Sequence, residues 1–404
     1  MSDFQPPWNR RQFLKSSSLF WASLGISVGA AGCDPFPFAH SKPYKPSSDR
    51  MVKIGYLPIT DASPLLAAYD KGFYRSEGLE ALPPQRYRSW ASLSQAFINR
   101  EVNVVHLLMP LTIWMRYGLN IPGKVVAWNH TNGSAITVLP EINSPQELSG
   151  RTIAIPSWYS LHNIILQIVL REAGLNPTVK PSHLPLKPDE VRLAVLSPID
   201  MFSALSKGDI AGYIVAEPHN SVAERAGIGK ILRLTGDIWK DHACCVVFMH
   251  EEDINQDTRW TQRVVNAIVK SQRWSRSNRL ELAHILSLEG SKYIPYPVSV
   301  LEQVFTSYDR DYYSRTGAMI HPEWRSHRID FQPYPFPSYT QSLTQALKQT
   351  FINDDTIFLE QLSPDRAALD LVEDSFVKVA LENTKSMEVF GLSTNFSRHE
   401  MVQI

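Results

Sequence analysis

The stretch 52–79, VKIGYLPITDASPLLAAYDKGFYRSEGL, carries a strand, a polar turn and a helix start in close succession. Val52, Ile54, Tyr56 and Leu57 form a mostly apolar run stopped by Pro58, which reads as a short buried strand. The polar turn 59–63 follows, and Pro64 opens a helical run through Leu65, Leu66, Ala67, Ala68 and Tyr69. Pro64 suits the first helical position, with Asp61 or Ser63 as the N-cap. A strand running through a polar loop into a helix leaves backbone N–H groups pointing at one spot, which suits a small anion. Taken alone, the pattern describes any βα unit of an α/β protein.

The alternation continues. Residues 80–88 read as a second strand, Trp90 sits in the helix start Ser89-Trp90-Ala91-Ser92, and 102–108 is a third strand stopped by Met109-Pro110. A short helix over 111–117 and a strand over 124–128 complete a parallel βα series. The turn signal Asn132-Gly133 leads into another strand, and 144–156 reads as short helix, glycine, strand. The loop 157–162 enters a helix over 163–173, with Ser160 as its N-cap and Gly174 as its stop. Residues 179–184 fit the next strand; 200–218 reads helix, glycine turn, strand and the pair Glu217-Pro218; 231–234 and 243–249 are strand-like. Beyond residue 250, helical pieces fall at 259–274, 280–288, 300–308, 341–351 and 367–383, and the last twenty or so residues read as weakly ordered from composition.

A chain of 404 residues with 44% hydrophobic content can bury enough core for two lobes. Forty basic and forty acidic residues cancel, so nothing points to nucleic acid or to a polybasic membrane surface. Near the start, Arg10-Arg11-Gln12-Phe13-Leu14-Lys15 and the apolar run 19–31 resemble a twin-arginine export signal, and Ala30-Ala31-Gly32-Cys33 resembles a lipoprotein cleavage box. These give a signal over 1–33 with Cys33 as the lipidated residue, and a proline-rich tether over 34–50. The adjacent Cys244 and Cys245 are poorly placed for an unstrained disulfide and read as two small buried residues on a strand. No GxSxG, GxxxxGK[ST], HExxH or GxGxxG pattern occurs, and no catalytic constellation stands out.

The segment YLPITDASPLLAAYDKGFYRSEGLE closely resembles the first strand, loop and helix of extracytoplasmic solute-binding proteins that serve ABC importers of nitrate, bicarbonate, sulfonate, taurine and thiamine precursors. The resemblance covers about half the chain, roughly 52–249, and is densest at 54–79 and 148–175. It implies a two-lobed, type II periplasmic-binding-protein-like α/β fold, each lobe a mixed sheet flanked by helices. Residues 51–135 with 240–404 would form the first lobe and C-terminal extension, and 136–239 the second lobe. It further implies a monomeric, non-enzymatic protein without cofactor or metal, held by a lipid anchor on the outer face of the cytoplasmic membrane. There it would close by hinge motion on a small anion and present it to an ABC permease and its ATPase.

Candidate ligand groups follow from the same resemblance and from donor chemistry, since neutral hydroxyls and N–H groups hold an oxyanion at modest desolvation cost. They are Thr60 and Asp61 in the first loop, Trp90, Met109 beneath Pro110, Asn132 and Gly133 near the crossover, Ser157, Ser160 and His162 at the second loop, and Glu217. Each has a plainer role as turn, cap or packing residue, and Glu217 in particular suits the positive end of the helix that follows it. The resembled family has an aromatic before the acidic-proline pair where this chain has Ala216. Two alternatives stay open: a binder of a pyrimidine precursor, with Trp90, Trp114 and Trp158 stacking on the ring, and a thiamine-pyrimidine synthase-like enzyme.

Overall fold

The structure, a computed structural model, describes residues 50–404. The twin-arginine stretch, Cys33 and all of the tether but Arg50 lie outside the described residues. In chain order the strands are β1 (Ile54–Tyr56), β2 (Gln85–Arg86), β3 (Val104–Leu108), β4 (Gly123–Trp128), β5 (Thr131–Asn132), β6 (Ser134–Val138), β7 (Thr152–Ile155), β8 (Asn176–Thr178), β9 (Glu190–Val195), β10 (Gly212–Ala216), β11 (Lys230–Leu234), β12 (Cys245–His250) and β13 (Ile329–Asp330).

They form two mixed sheets flanked by helices. The first is five-stranded in the order β2-β1-β3-β12-β4, the second six-stranded in the order β11-β6-β10-β7-β9-β8, and β5 pairs with β13 in a short ribbon. Strands β1, β2 and β3 are mutually parallel, while β12 returns antiparallel between β3 and β4. In the second sheet β6 is the antiparallel member, between β10 and β11. The chain therefore crosses from first sheet to second after β4, and back between β11 and β12. Every residue of β3 and of β12 is buried, which explains their near-continuous apolar text: a central strand covered on both faces has no polar face to show.

Helix α1 (Ser63–Asp70) follows β1 as expected, with Pro64 in its first turn, but its N-cap is Ala62 and no side chain caps it. A turn of 3-10 helix over Thr60–Ala62 precedes it and turns Asp61 inward, so that neither Asp61 nor Ser63 is the cap the sequence suggested. Helix α2 (Trp90–Ile98) starts from a reciprocal Ser89–Ser92 capping box. Helix α3 (Leu161–Glu172) starts from Ser160, whose Oγ accepts from the Asn163 N–H at 3.0 Å. Helix α4 (His219–Arg225) follows Pro218, α5 (Thr258–Ser277) packs on α1, and α6 (Pro337–Lys348) lies in the C-terminal extension.

Further expectations fail, among them the single helical piece at 367–383, which is two helices, Pro364–Leu371 and Ser375–Asn383. The strand anticipated at 179–184 lies instead at β8 and β9: prolines 181, 185 and 188 break the intervening segment, while Pro177 is tolerated because β8 is an edge strand. The alternation Glu190-Val191-Arg192-Leu193 supplies the ladder partner. The C-terminal residues are also tied down rather than weakly ordered. Trp239 Nε1 donates to Glu400 at 3.1 Å, the Gln403 N–H to the Ile238 carbonyl at 2.9 Å, and the Arg398 guanidinium lies 4.9 Å from the Trp128 ring centroid. Composition missed this because the anchors, Trp128 and Trp239, are more than 150 residues earlier in the chain.

The extension touches both sheets' surroundings. Tyr339 on α6 donates to the Ala243 carbonyl and packs edge-on against Trp128 and Trp239, beside the return crossover. Farther on, the Phe351 N–H and C=O are both satisfied by the Gln167 amide on α3 at 2.8 Å each.

Candidate functional site

The loop after β1 faces the second sheet. The Thr60 N–H and hydroxyl both donate to the Glu217 carbonyl beyond β10, at 2.9 and 3.1 Å. Behind that contact lies a buried polar cluster built from separate elements. Asp61 comes from the loop, His106 from β3, His130 from the outgoing crossover, Ser134 from β6, His162 from α3, Cys244 from the end of the return crossover and Cys245 from the start of β12. His106 Nε2 accepts the Leu57 N–H at 2.8 Å, and the His106 ring packs against Trp90 with centroids 5.4 Å apart. His162 Nε2 lies 3.0 Å from Ser134 Oγ and 3.8 Å from Cys244 Sγ. Asp61 Oδ2 lies 3.0 Å from His130 Nε2, and the same nitrogen receives the Cys245 N–H at 3.1 Å.

Burial governs the protonation of these groups. It pushes His106 down to about 3 and His219 to about 4, and holds His242 well below its ordinary value with further repulsion from His130. Burial alone would also raise Asp61, but the adjacent His130, aided by His106 and His162, holds the carboxyl below its usual range. The same pairing outweighs burial at His130 and raises it. Cys244 falls to about 6, since contacts to Cys245 and His162 overcome burial, whereas burial and Cys244 push Cys245 up. Both cysteines are free thiols. No lysine or arginine hydrogen-bonds any of Asp61, His106, His130, His162, Cys244 or Cys245 among the described residues.

The sequence-derived candidates separate into groups. Asp61 and His162 enter the cluster; Trp90 joins through His106; Met109 abuts it, its N–H donating to the Cys244 carbonyl at 2.9 Å. Thr60 is committed to the interlobe contact. Ser157 and Ser160 serve the cap of α3, Ser160 Oγ donating to the Ser157 carbonyl at 2.7 Å. Asn132 and Gly133 face the 327–329 segment: Asn132 Nδ2 donates to the His327 carbonyl at 3.0 Å, and a Cβ on Gly133 (φ +81) would meet Ile329 at 3.0 Å. Glu217 is locked in a buried ion pair with Arg328 at 2.6 Å and accepts the Ser221 N–H at 3.1 Å, so its carboxylate caps α4.

Sequence reasoning missed His106, His130, Ser134 and Arg328. A histidine inside the otherwise apolar run of β3 was the available signal for His106; nothing local distinguished His130. The three tryptophans do not converge on one ring: Trp90 faces His106, Trp114 stacks on Tyr159 at 5.3 Å, and Trp158 meets Phe351 edge-on at 5.9 Å.

Toward solvent, a cavity of about 310 Å³ opens between the same loops. Leu57, Pro58, Ile59, Arg86, Tyr87 and Arg88 line it from the first sheet's side, and Pro198, Ile199 and His219 from the second's. Arg88 reaches across to Asp200 at 3.2 Å.

Residues 45–287, more than half of the chain, match the NMT1-like family. The nitrate/nitrite binding protein NrtA of Nostoc is 25% identical over 259 residues, 58% of this chain and 57% of that protein, so the alignment spans little over half of the relative's length. The bicarbonate-binding protein CmpA of Synechococcus elongatus is 24% identical over 75% of this chain and 73% of its own. The crystal structure of the periplasmic nitrate-binding protein NrtA from Synechocystis superposes with a TM-score of 0.70 at 17% identity, covering 87% of this chain and 93% of that one, which establishes a shared fold. By the extent of its match, and with two sheets arranged as in a periplasmic binding protein, the chain belongs to the NMT1-like family.

Proposed function

We propose that this chain is the solute-binding component of an ABC importer, exported by a twin-arginine signal and anchored through Cys33, that captures a small anion between its lobes and delivers it to a permease and ATPase. It acts as a binding protein and not as an enzyme. The observation that carries the reading is the 310 Å³ cavity walled by loops of both sheets, with Arg86 and Arg88 at its edge. The Arg86 guanidinium beside a low-dielectric wall favours an anionic solute, while Arg88 is paired with Asp200 at 3.2 Å. Its volume sits at the lower end of sites for small organic ligands, about 300–1,000 Å³, and its walls of leucine, isoleucine and proline suit an apolar body. Among the anions bound by such proteins, a sulfonate with a short alkyl chain therefore fits better than bare nitrate or bicarbonate. The relatives named for nitrate and bicarbonate support the anion class. None of the residues proposed from sequence lines this cavity itself; Thr60 follows directly on the lining stretch 57–59, at the contact with the Glu217 carbonyl.

A thermal-shift panel of nitrate, nitrite, bicarbonate, taurine, longer alkanesulfonates and pyrimidine precursors tests the proposal, because a ligand bound only by the native state raises the midpoint. The expected result is a shift with alkanesulfonates. A shift with pyrimidines alone would replace the anion by a stacked ring, and silence across the panel would withdraw the anion assignment.

A further inference from the structure

Four side chains of the buried cluster are arranged for a different ligand. Asp61, His130, Cys244 and Cys245 each direct one donor atom into a common volume, with all four atoms within 4.8 Å of one another and all four residues buried. A tetrahedral ion with bonds of about 2.0–2.3 Å separates its ligands by roughly 3.2–3.8 Å. The Asp61 Oδ2–His130 Nε2 distance of 3.0 Å and the Sγ–Sγ distance of 4.0 Å bracket that spacing. Adjacent residues of a strand normally point to opposite faces. Here Cys244 sits in the bend just before β12, and the bend brings both thiols to one side.

The protein leaves this set incompletely satisfied. Although His130 is close, neither Asp61 oxygen has a hydrogen-bond partner, and a carboxylate wholly out of water needs one or a cation. His130 Nε2 cannot resolve this, because it faces both the carboxylate and the Cys245 N–H: as a donor it opposes the amide, as an acceptor it leaves Asp61 unpaired. A cation among the four donors removes the conflict.

We propose that Asp61, His130, Cys244 and Cys245 form a binding site for a thiophilic divalent transition-metal ion of the zinc type. Two thiolates, an imidazole and a carboxylate make a soft to borderline donor set that selects such an ion over calcium or magnesium. The site joins three segments: the loop after β1, the outgoing crossover and the return crossover. A bound ion ties both crossovers to the first lobe and fixes the hinge about which the lobes move. The site is separate from the solvent-facing cavity and does not depend on the identity of the transported solute.

Cobalt titration of the full chain, purified and stripped with chelator under reducing conditions, tests this directly. Tetrahedral cobalt bound by thiolate shows sulfur-to-metal charge-transfer absorption, and added zinc should bleach it at one equivalent per chain. Cys244→Ser and Asp61→Asn should weaken binding by more than about 100-fold, beyond what loss of an outer-shell group costs, while the exposed His183→Ala should leave it unchanged. Circular dichroism of each variant reports folding, and Cys245→Ser, probed by loss of the charge-transfer band alone, serves if either of the first two unfolds. Absence of cobalt binding, binding without thiolate absorption, or a band that survives all the folded cluster variants overturns the proposal. Running the anion panel on the stripped protein separates failure of this site from failure of the transport reading.

Discussion

The main-chain N–H and side-chain hydroxyl of Thr60 converge on a single acceptor, the carbonyl oxygen of Glu217, at 2.9 and 3.1 Å. One residue of the first lobe's loop thus latches the loop after β10, next to where Arg328 holds the Glu217 carboxylate. Replacing Thr60 by Val removes only the hydroxyl and should cost the closed form about 0.5–1.5 kcal/mol, the net value of a neutral hydrogen bond. Isothermal titration with the solute identified by the thermal panel checks it: affinity should fall by that amount, with circular dichroism unchanged.

The Arg328–Glu217 pair is almost wholly removed from water, with both side chains at 2% exposure or less. Arg328→Leu strands the carboxylate and should destabilise the fold by about 3–5 kcal/mol in urea unfolding, whereas Arg328→Leu combined with Glu217→Leu should recover part of the loss. A double variant no better than the single would mean that Arg328 matters chiefly through its other contacts, to Tyr313 and to Glu224 at 3.2 Å.

Stability should fall on acidification before the carboxylates titrate. His106 and His219 are held at about 3 and about 4 in the fold, below the value of about 6.5 in the unfolded chain. As pH drops through that window the unfolded state takes up these protons first, so the neutral-histidine contribution, complete above about pH 6.5, is progressively lost toward pH 3–4. Urea midpoints measured between pH 7.5 and 4.5 should decline, and His106→Gln should flatten the slope.

Arg86 is exposed and should act through charge, whereas Arg88 is held by Asp200. Arg86→Ala should weaken anion binding by about 2- to 5-fold, and the difference from wild type should shrink in high salt. Affinity measured at two ionic strengths distinguishes this from a packing effect.

The Gln167 amide supplies both partners of the Phe351 backbone. Gln167→Leu leaves the N–H unpaired and the carbonyl with only Asn163 Nδ2, at 3.2 Å, and should cost about 1–3 kcal/mol, with faster amide hydrogen exchange confined to the segment around Phe351.

Local pattern in the chain was enough for the βα order through residue 128, the entry into α3 with Ser160 as its cap, and the buried strand around Cys245. These depend on apolar period, on proline and glycine punctuation and on caps, all of which act within a few residues. Its errors came where a longer-range partner decided the outcome. Edge pairing with β9 drew a strand to Asn176–Thr178, and packing on Trp128 and Trp239 ordered the C-terminus. Asp61 shows the division most clearly. Its sequence neighbours recommended it as a helix cap, but the tertiary structure turned it toward His130 and the two cysteines, 69 to 184 positions later in the chain. Only when two crossovers and a loop are packed together do these donors meet, because the low dielectric that makes their encounter consequential exists only in the folded interior.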